Sequence, residues 1–188
     1  MKLMFDTIQT PIGAVTLVVL TGKLVFVDFE GNEARMKRLL TARFGAYTPV
    51  AMHDPHGFST KLLAYFAGDL GAVRDIPVST GGTPLQAQVW NALREIPAGE
   101  TISYGALAAR FGKPGAVRAV GTINSLNPIS IVLPCHRVIG ANGDLTGYAG
   151  GLERKHWLLT HEGAQIRAPR AHRLAQLQAR SEAQPSLF

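Results

Sequence analysis

Cysteine occurs once in this chain of 188 residues, at position 135. A single thiol excludes an internal disulfide and any zinc site built on several cysteines. The six histidines are scattered, and none pairs with the cysteine at metal-ligand spacing. No metal and no cofactor is therefore expected. No apolar run is long enough to span a bilayer. The opening stretch, MKLMFDTIQTP, lacks the apolar core of a secretory signal, because Asp6 falls where that core would lie. A cytoplasmic protein without membrane contact is the default expectation. Acidic residues are also in short supply, 13 against 19 lysines and arginines, for a formal charge of +6. The imbalance is uneven, with 8 basic and 7 acidic residues up to Gly82 and 11 and 6 beyond it. A basic surface attracts nucleic acid without regard to sequence. It serves equally as a solubilising surface, and charge alone does not choose between the two.

What is present suits one good core or two small domains, with 46% of residues hydrophobic. AVTLVVL and LVFVDFE read as a β-hairpin, with Gly22 in the turn free to take positive φ. NEARMKRLLTARFG predicts a helix with Asn32 as N-cap, Met36, Leu39, Leu40 and Phe44 on one face, and Gly45 at its end. A second helix, FSTKLLAYFAGD, is expected to bury Leu62, Leu63 and Phe66. The Pro, Ser, Thr and Gly cluster in RDIPVSTGGTP marks a linker, and the domain boundary is placed near Gly82. Residues 1–82 then form a small α/β unit with an antiparallel sheet.

Residues 83–165 read as mostly helical. Pro84 suits the first turn of PLQAQVWNALREIP, with Leu85, Val89, Leu93 and Ile96 along one side. SYGALAARFG and AVRAVGTINSL are two short helices joined by KPG, the outline of a helix-turn-helix. On the second of these, Val117, Val120, Gly121 and Asn124 face inward. Ala119, Thr122 and Leu126 face outward with Arg118 at the edge. A helix that reads base edges carries more hydrogen-bonding side chains than this smooth face does. ISIVL is taken as a short buried extended segment, and Asn142-Gly143 as a tight turn. LERKHWLLTHEG is expected to close the domain as a helix. Residues 166–188 read as a basic tail, partly helical between Ala171 and Ala183.

A lone cysteine reads first as a small core hydrophobe. Cys135, however, stands between Pro134 and His136 in NPISIVLPCHRV. The thiolate is the reactive form, an imidazole takes the thiol proton, and a third group must orient the imidazole. Glu162 is the candidate carboxylate. The alternative is that His136 and Glu162 are ordinary surface polar residues, and chemistry alone leaves both readings open.

NP followed by PCHRV at this spacing resembles the O6-alkylguanine-DNA alkyltransferases, the methylated-DNA–protein-cysteine methyltransferases. TPIGAVTLVV, VWNALREIPAGETISYGALAARFGKPGAVRAVG and GYAGGLERKHWLL with HEG carry the resemblance across most of the chain. It implies an α+β protein. A small ribonuclease H-like N-terminal domain would precede a mostly helical, winged helix-turn-helix-type domain. It implies direct-reversal repair, in which Cys135 takes an alkyl group irreversibly from O6 of guanine, and from O4 of thymine, in double-stranded DNA. His136 would draw the thiol proton through a bound water, Glu162 would orient His136, and Asn127 would hold the turn before the active-site segment, where an Asx-type turn suits it. The base would be flipped out through the minor groove. Arg118 would fill the gap, with Ala119 and Thr122 against the groove. Tyr104 would crowd the 3′ phosphate and hydrogen-bond the base. Tyr148, Ala149 and Gly150 would wall the pocket, Val138 would offer its backbone to the base, and Lys155 would stand near that loop. Each of these also reads as core or solvated surface. Arg137 is expected to form a structural ion pair.

Three positions depart from the family pattern. Leu85 stands where phenylalanine is usual, Ile123 replaces a smaller residue on the flank of the DNA-facing helix, and the zinc ligands of some N-terminal domains are missing. The chain is expected to act as a monomer. Its last five residues, Gln184 to Phe188, resemble the short Gln-x-Ser-Leu-Phe peptides that dock bacterial proteins on the replication sliding clamp. Competing readings are a damage-sensing DNA-binding protein of the same fold, against which Cys135 argues, a cysteine hydrolase, and a redox-sensing regulator.

Overall fold

The computed structural model describes residues 1–166. The expected clamp peptide and the helical part of the tail lie outside them. Strands β1 (Lys2–Thr10), β2 (Gly13–Leu20) and β3 (Lys23–Phe29) form a meander, followed by helix α1 (Glu33–Phe44), strand β4 (Thr48–Ala51) and helix α2 (Phe58–Phe66). The expected hairpin is β2–β3, and its turn places Thr21 and Gly22 at φ +47° and +71°. Positive φ at both central residues matches the twist of the flanking strands. The sheet runs β3-β2-β1-β4. It is mixed rather than antiparallel, because β4 lies parallel to β1. The crossover through α1 carries the chain back to the same end of the sheet, as a parallel pairing requires.

The two faces of the sheet bury different partners. Leu3, Val18, Val25 and Phe26 pack against Leu40 of α1, with Met36, Leu39 and Phe44 partly buried beside them. Val15, Leu17, Val19, Leu24, Val27 and Phe29 face α2 and the second half of the chain in a single core. Asn32 does not cap α1; its amide goes instead to Asp28 and to the carbonyl of Ala149. In α2, Leu63 is exposed, and the buried face turns through Leu62, Tyr65 and Phe66.

The second half holds α3 (Pro84–Leu93), β5 (Ile102–Ser103), α4 (Tyr104–Arg110), α5 (Val117–Ser125), β6 (Val138–Ile139) and α6 (Leu152–His161). Thr83 and Gln86 close a reciprocal capping box on α3. Leu85 is exposed, so Val89, Trp90 and Leu93 form its buried side. A tight turn at Pro114–Ala116 joins α4 to α5 in the expected helix-turn-helix order. On α5 the phase differs from expectation. Val117 is exposed, while Ile123 is buried and its carbonyl accepts the Trp90 indole N–H at 2.9 Å. Ile123 therefore faces the core and not the flank of an outer surface. β5 and β6 pair in parallel. Among the described residues, no helix is long and apolar enough to cross a membrane.

β3 is an edge strand, and the rest of the chain covers it. Leu24 bonds the linker through Pro77 and Ser79, and Val27 bonds the segment after α5 through Pro128 and Ser130. Such cover removes an open template for foreign strands. Ile129 bridges Val27, but residues 130–133 turn and bend instead of continuing the extended run expected, and Ile131 sits at φ +72°. A β-branched residue is strained in that region. The strain persists because Ile129, Ile131, Val132 and Leu133 are all buried around it.

Arg35 fixes α1 to β3 by a salt bridge and to the end of α5 by hydrogen bonds. Arg35 pairs with the buried Asp28 and also donates to the carbonyls of Ser125 and Asn127, the latter at 2.8 Å. Arg35→Met leaves the Asp28 carboxylate buried without its partner. The expected loss is about 3 kcal/mol of stability in urea denaturation, with little change if the pair is only a surface contact.

Candidate active site

Cys135 opens one turn of 3-10 helix, Cys135–Arg137, directly after Pro134. The chain is therefore not extended here, where Cys135 and His136 would point to opposite sides. Asn127 braces the approach. Its amide donates to Leu133 O at 2.7 Å, and its carbonyl accepts the Ile129 N–H at 3.0 Å. Asn124, one turn from the end of α5, donates to the carbonyl of Cys135 at 3.3 Å. The thiol is buried and free. Burial pushes its pKa up, partly offset by the Asn127 hydrogen bond and the Lys155 charge. At rest it is therefore a neutral thiol that needs a base.

The candidate for that base is next to it in sequence. His136 is fully buried, with Nε2 3.0 Å from Glu162 Oε1. An ionised carboxylate only accepts, so Nε2 carries the hydrogen and Nδ1 keeps its lone pair. Nδ1 is buried and has no partner among the described residues. Burial holds the His136 pKa below the ordinary value, against the pull of Glu162. Glu162 ends α6 and is itself buried. Burial opposes its ionisation, but the hydrogen bonds from His136 and Arg137 outweigh that and keep its pKa well below the carboxylate range. Arg137 binds both oxygens, Nε to Oε2 at 2.8 Å and an Nη to Oε1 at 2.7 Å. This is the expected structural ion pair.

The glycine-rich loop after β6 stands beside this group. Tyr148 packs its ring against Phe29 at 6.0 Å and its edge toward His136 at 6.5 Å, and its hydroxyl is buried without a partner. Gly150 is wedged between these rings. A Cβ there would come 2.6 Å from Phe29 and 2.8 Å from Tyr148, so no side chain fits without a shift. Ala149 offers its carbonyl to Asn32. Lys155 is buried on α6, with Nζ 2.6 Å from Val138 O and 2.7 Å from Thr146 O. Burial lowers its pKa to about 8. It thus ties the strand after Cys135 to the loop, and the Val138 carbonyl already carries this bond. Tyr104 begins α4, its ring 3.8 Å from the position of a Gly121 Cβ and its hydroxyl 3.5 Å from Gly147 O. Burial raises its pKa, which keeps the phenol a donor.

The structure brings Cys135, His136, Asn127, Glu162, Tyr104, Val138, Tyr148, Ala149, Gly150 and Lys155 into this region. Arg118, Ala119 and Thr122 lie on the exposed side of α5, whose buried side carries Asn124. Three contributors escaped sequence reasoning. Asn124 holds the Cys135 carbonyl, Phe29 backs the loop, and Tyr65 donates its hydroxyl to Glu162 Oε1 at 2.6 Å. The signal for Tyr65 was present in α2: a phenol on an apolar helix face needs a buried acceptor. Among the described residues, no group of three His, Cys, Asp or Glu side chains gathers as a metal site would require.

Residues 84–164 match the family model described as 6-O-methylguanine DNA methyltransferase, DNA binding domain. A methylated-DNA–protein-cysteine methyltransferase of Salmonella typhimurium is 50% identical over 166 residues, covering 87% of this chain and 97% of the relative. One from Mycobacterium tuberculosis is 45% identical over 171 residues, covering 88% and 94%. The crystal structure of the M. tuberculosis O6-methylguanine methyltransferase superposes with a TM-score of 0.71 at 40% identity, over 88% of this chain and 96% of the other. An M. tuberculosis structure in complex with DNA gives 0.70 at 40% identity, over 89% and 96%. With the buried Cys-His-Glu group and the helix-turn-helix in the same unit, these likenesses place the chain in the methylated-DNA–protein-cysteine methyltransferase family.

Proposed function

We propose that Cys135 is the acceptor in the reaction of this family, the transfer of a methyl group from O6 of guanine in DNA to a protein cysteine. The single observation that carries the reading is the buried thiol beside a buried imidazole whose Nδ1 is open and whose Nε2 is held by Glu162. The chain binds DNA and repairs it by direct reversal. As sulfur attacks the methyl carbon, the thiol proton passes through a bound water to His136 Nδ1. The S–C bond forms and the C–O6 bond breaks. Guanine leaves with the electron pair and is reprotonated, with Tyr104 as a hydrogen-bond donor to the base. Glu162 steadies the imidazolium while it exists. The product is a thioether, which has no leaving group that water displaces, so each molecule acts once.

The base inside a duplex must leave the stack to reach a buried thiol. Residues 1–82 form the supporting unit in this reading, and 83–165 the catalytic and DNA-binding unit. The exposed, small-residue face at Ala119 and Thr122 suits close approach of α5 to a minor groove, and Arg118 at its start suits the space left by the base. Tyr148, Ala149 and Gly150, on the loop packed against Phe29 and near His136, are the proposed wall of the base pocket.

Intact-protein mass spectrometry after incubation with excess O6-methylguanine duplex tests the assignment. The expected result is a gain of one methyl group per chain, mapped to Cys135 and lost in Cys135→Ser. Retained binding without an adduct would overturn it in favour of a damage sensor. Glu162→Gln leaves Arg137 buried and uncompensated, so unfolding free energy should drop by about 3–5 kcal/mol and methyl transfer should slow by at least about 100-fold. The pH dependence has a definite sign. The folded-state pKa of Glu162 lies below its ordinary 4.5, so its stabilisation is full above pH 4.5 and is lost on acidification below it. The wild-type melting temperature should fall below that pH, and the Glu162→Gln profile should be flatter there.

The clamp peptide has a separate test. Residues 184–188 end in two apolar side chains, as groove-binding peptides do. Immobilised bacterial sliding clamp should retain the full chain and fail to retain a chain ending at residue 183. Equal retention of both, or of neither, would remove the proposal.

A further inference from the structure

The Tyr65 hydroxyl reaches the relay from the first half of the chain, and nothing in the transfer step described above requires it. We propose that Tyr65 is a positioning residue of the methyl-transfer reaction: its phenol O–H, donated to Glu162 Oε1, sets the basicity of the carboxylate that holds His136 and so fixes where the relay proton rests. The inference depends on His136 serving as the base for the thiol.

The hydroxyl is placed with little freedom. Tyr65 is fully buried on α2. Its ring meets Phe66 and His161 edge-on, each at 5.4 Å, and His161 Nε2 lies 2.8 Å from the Tyr65 carbonyl. His161 in turn stacks on Trp157 at 4.7 Å. Helix α2 is thereby fixed to α6 within one residue of Glu162. A phenol in such surroundings is harder to bury than phenylalanine unless its O–H is matched. The acceptor it meets, at 2.6 Å, is the carboxylate oxygen that also accepts His136 Nε2.

Charge neutralisation does not need this bond. Arg137 already engages both carboxylate oxygens. A third donor on Oε1 instead draws electron density from the atom facing His136. Hydrogen bonds to a carboxylate lower its basicity. A weaker base supports an imidazolium less, so the resting imidazole stays neutral with Nδ1 open. The other groups that act on His136 are Arg137 on its own turn, Lys155 on α6 and Tyr148 on the loop, and Cys135 precedes it in the same turn. Arg137 and Lys155 also favour the neutral ring, and Glu162 opposes them. Among the described residues, Tyr65 and Arg137 are the donors that join His136 on Oε1.

Removing the phenol therefore has a sign. With one donor fewer, Glu162 supports the imidazolium more strongly, and His136 stays protonated to higher pH. A protonated His136 cannot take the thiol proton. In single-turnover assays with O6-methylguanine duplex, the acidic limb of the rate–pH profile should move up by about one pH unit in Tyr65→Phe. DNA affinity and the rate on the alkaline side of the limb should stay near wild type. Replacing Tyr65 by 3,5-difluorotyrosine, a stronger donor, should move the limb down. A uniform loss of rate at every pH in both variants would mean a packing role alone and would overturn the proposal, as would an unmoved limb. His136→Gln provides the control. If the wild-type limb survives in that variant, His136 is not the base, and the relay reading falls together with this one.

Discussion

A negative charge at the end of α6, deep inside the protein, organises the rest of the molecule. Glu162 would be neutral, or in water, if its surroundings did not hold it ionised. Arg137 meets it from the turn that carries Cys135, His136 meets it from the same turn, and Tyr65 meets it from the other half of the chain. Satisfying one carboxylate therefore fixes the relative positions of α2, α6 and the 3-10 turn. The same geometry decides which nitrogen of His136 carries hydrogen. Structural and chemical roles cannot be separated here, because the bonds that make the buried charge tolerable are those that orient the base.

The first half of the chain is more than a support standing apart. It touches each part of the site at a different point. Tyr65 reaches the relay, Phe29 and Asn32 back the glycine-rich loop, and Arg35 holds the carbonyls that follow α5. Val27 adds a backbone pairing with the segment that leads to Cys135. The apolar core runs without a break from Val15 and Leu17 of the sheet to Leu133 and Val138 beside the thiol. Such continuity is what allows Ile131 to keep a left-handed backbone: the packing around it is strong enough to hold a conformation that costs about 1–3 kcal/mol.

Local signals in the sequence were sufficient for a good part of this. Cys135 between proline and histidine and the turn at Thr21-Gly22 are properties of neighbouring residues, and the turn stands as read. What the sequence left hidden depends on pairings between distant residues. The parallel partnership of β1 with β4 has no local mark, since four residues with little alternation carry it. Leu63, Leu85 and Val117 are apolar and looked buried, yet each lies a fraction of a helical turn away from the core. Ile123 is the reverse case, drawn inward where Trp90 needs an acceptor. Tyr65 carries no local mark of its role, because its acceptor lies 97 positions along the chain.

The burial of Cys135 has a further chemical consequence. A reagent used once is wasted by any other electrophile or oxidant that reaches it first. Oxidation proceeds through the exposed thiolate. At 4% exposure and with its pKa pushed up, this sulfur presents neither the anion nor the access that peroxide requires. In the proposed mechanism its reactivity is latent and appears when a substrate base is in place and His136 accepts the proton. The shelf life of the protein in an oxidising cell and its selectivity for an alkylated base thus have a common origin, the apolar enclosure of one thiol.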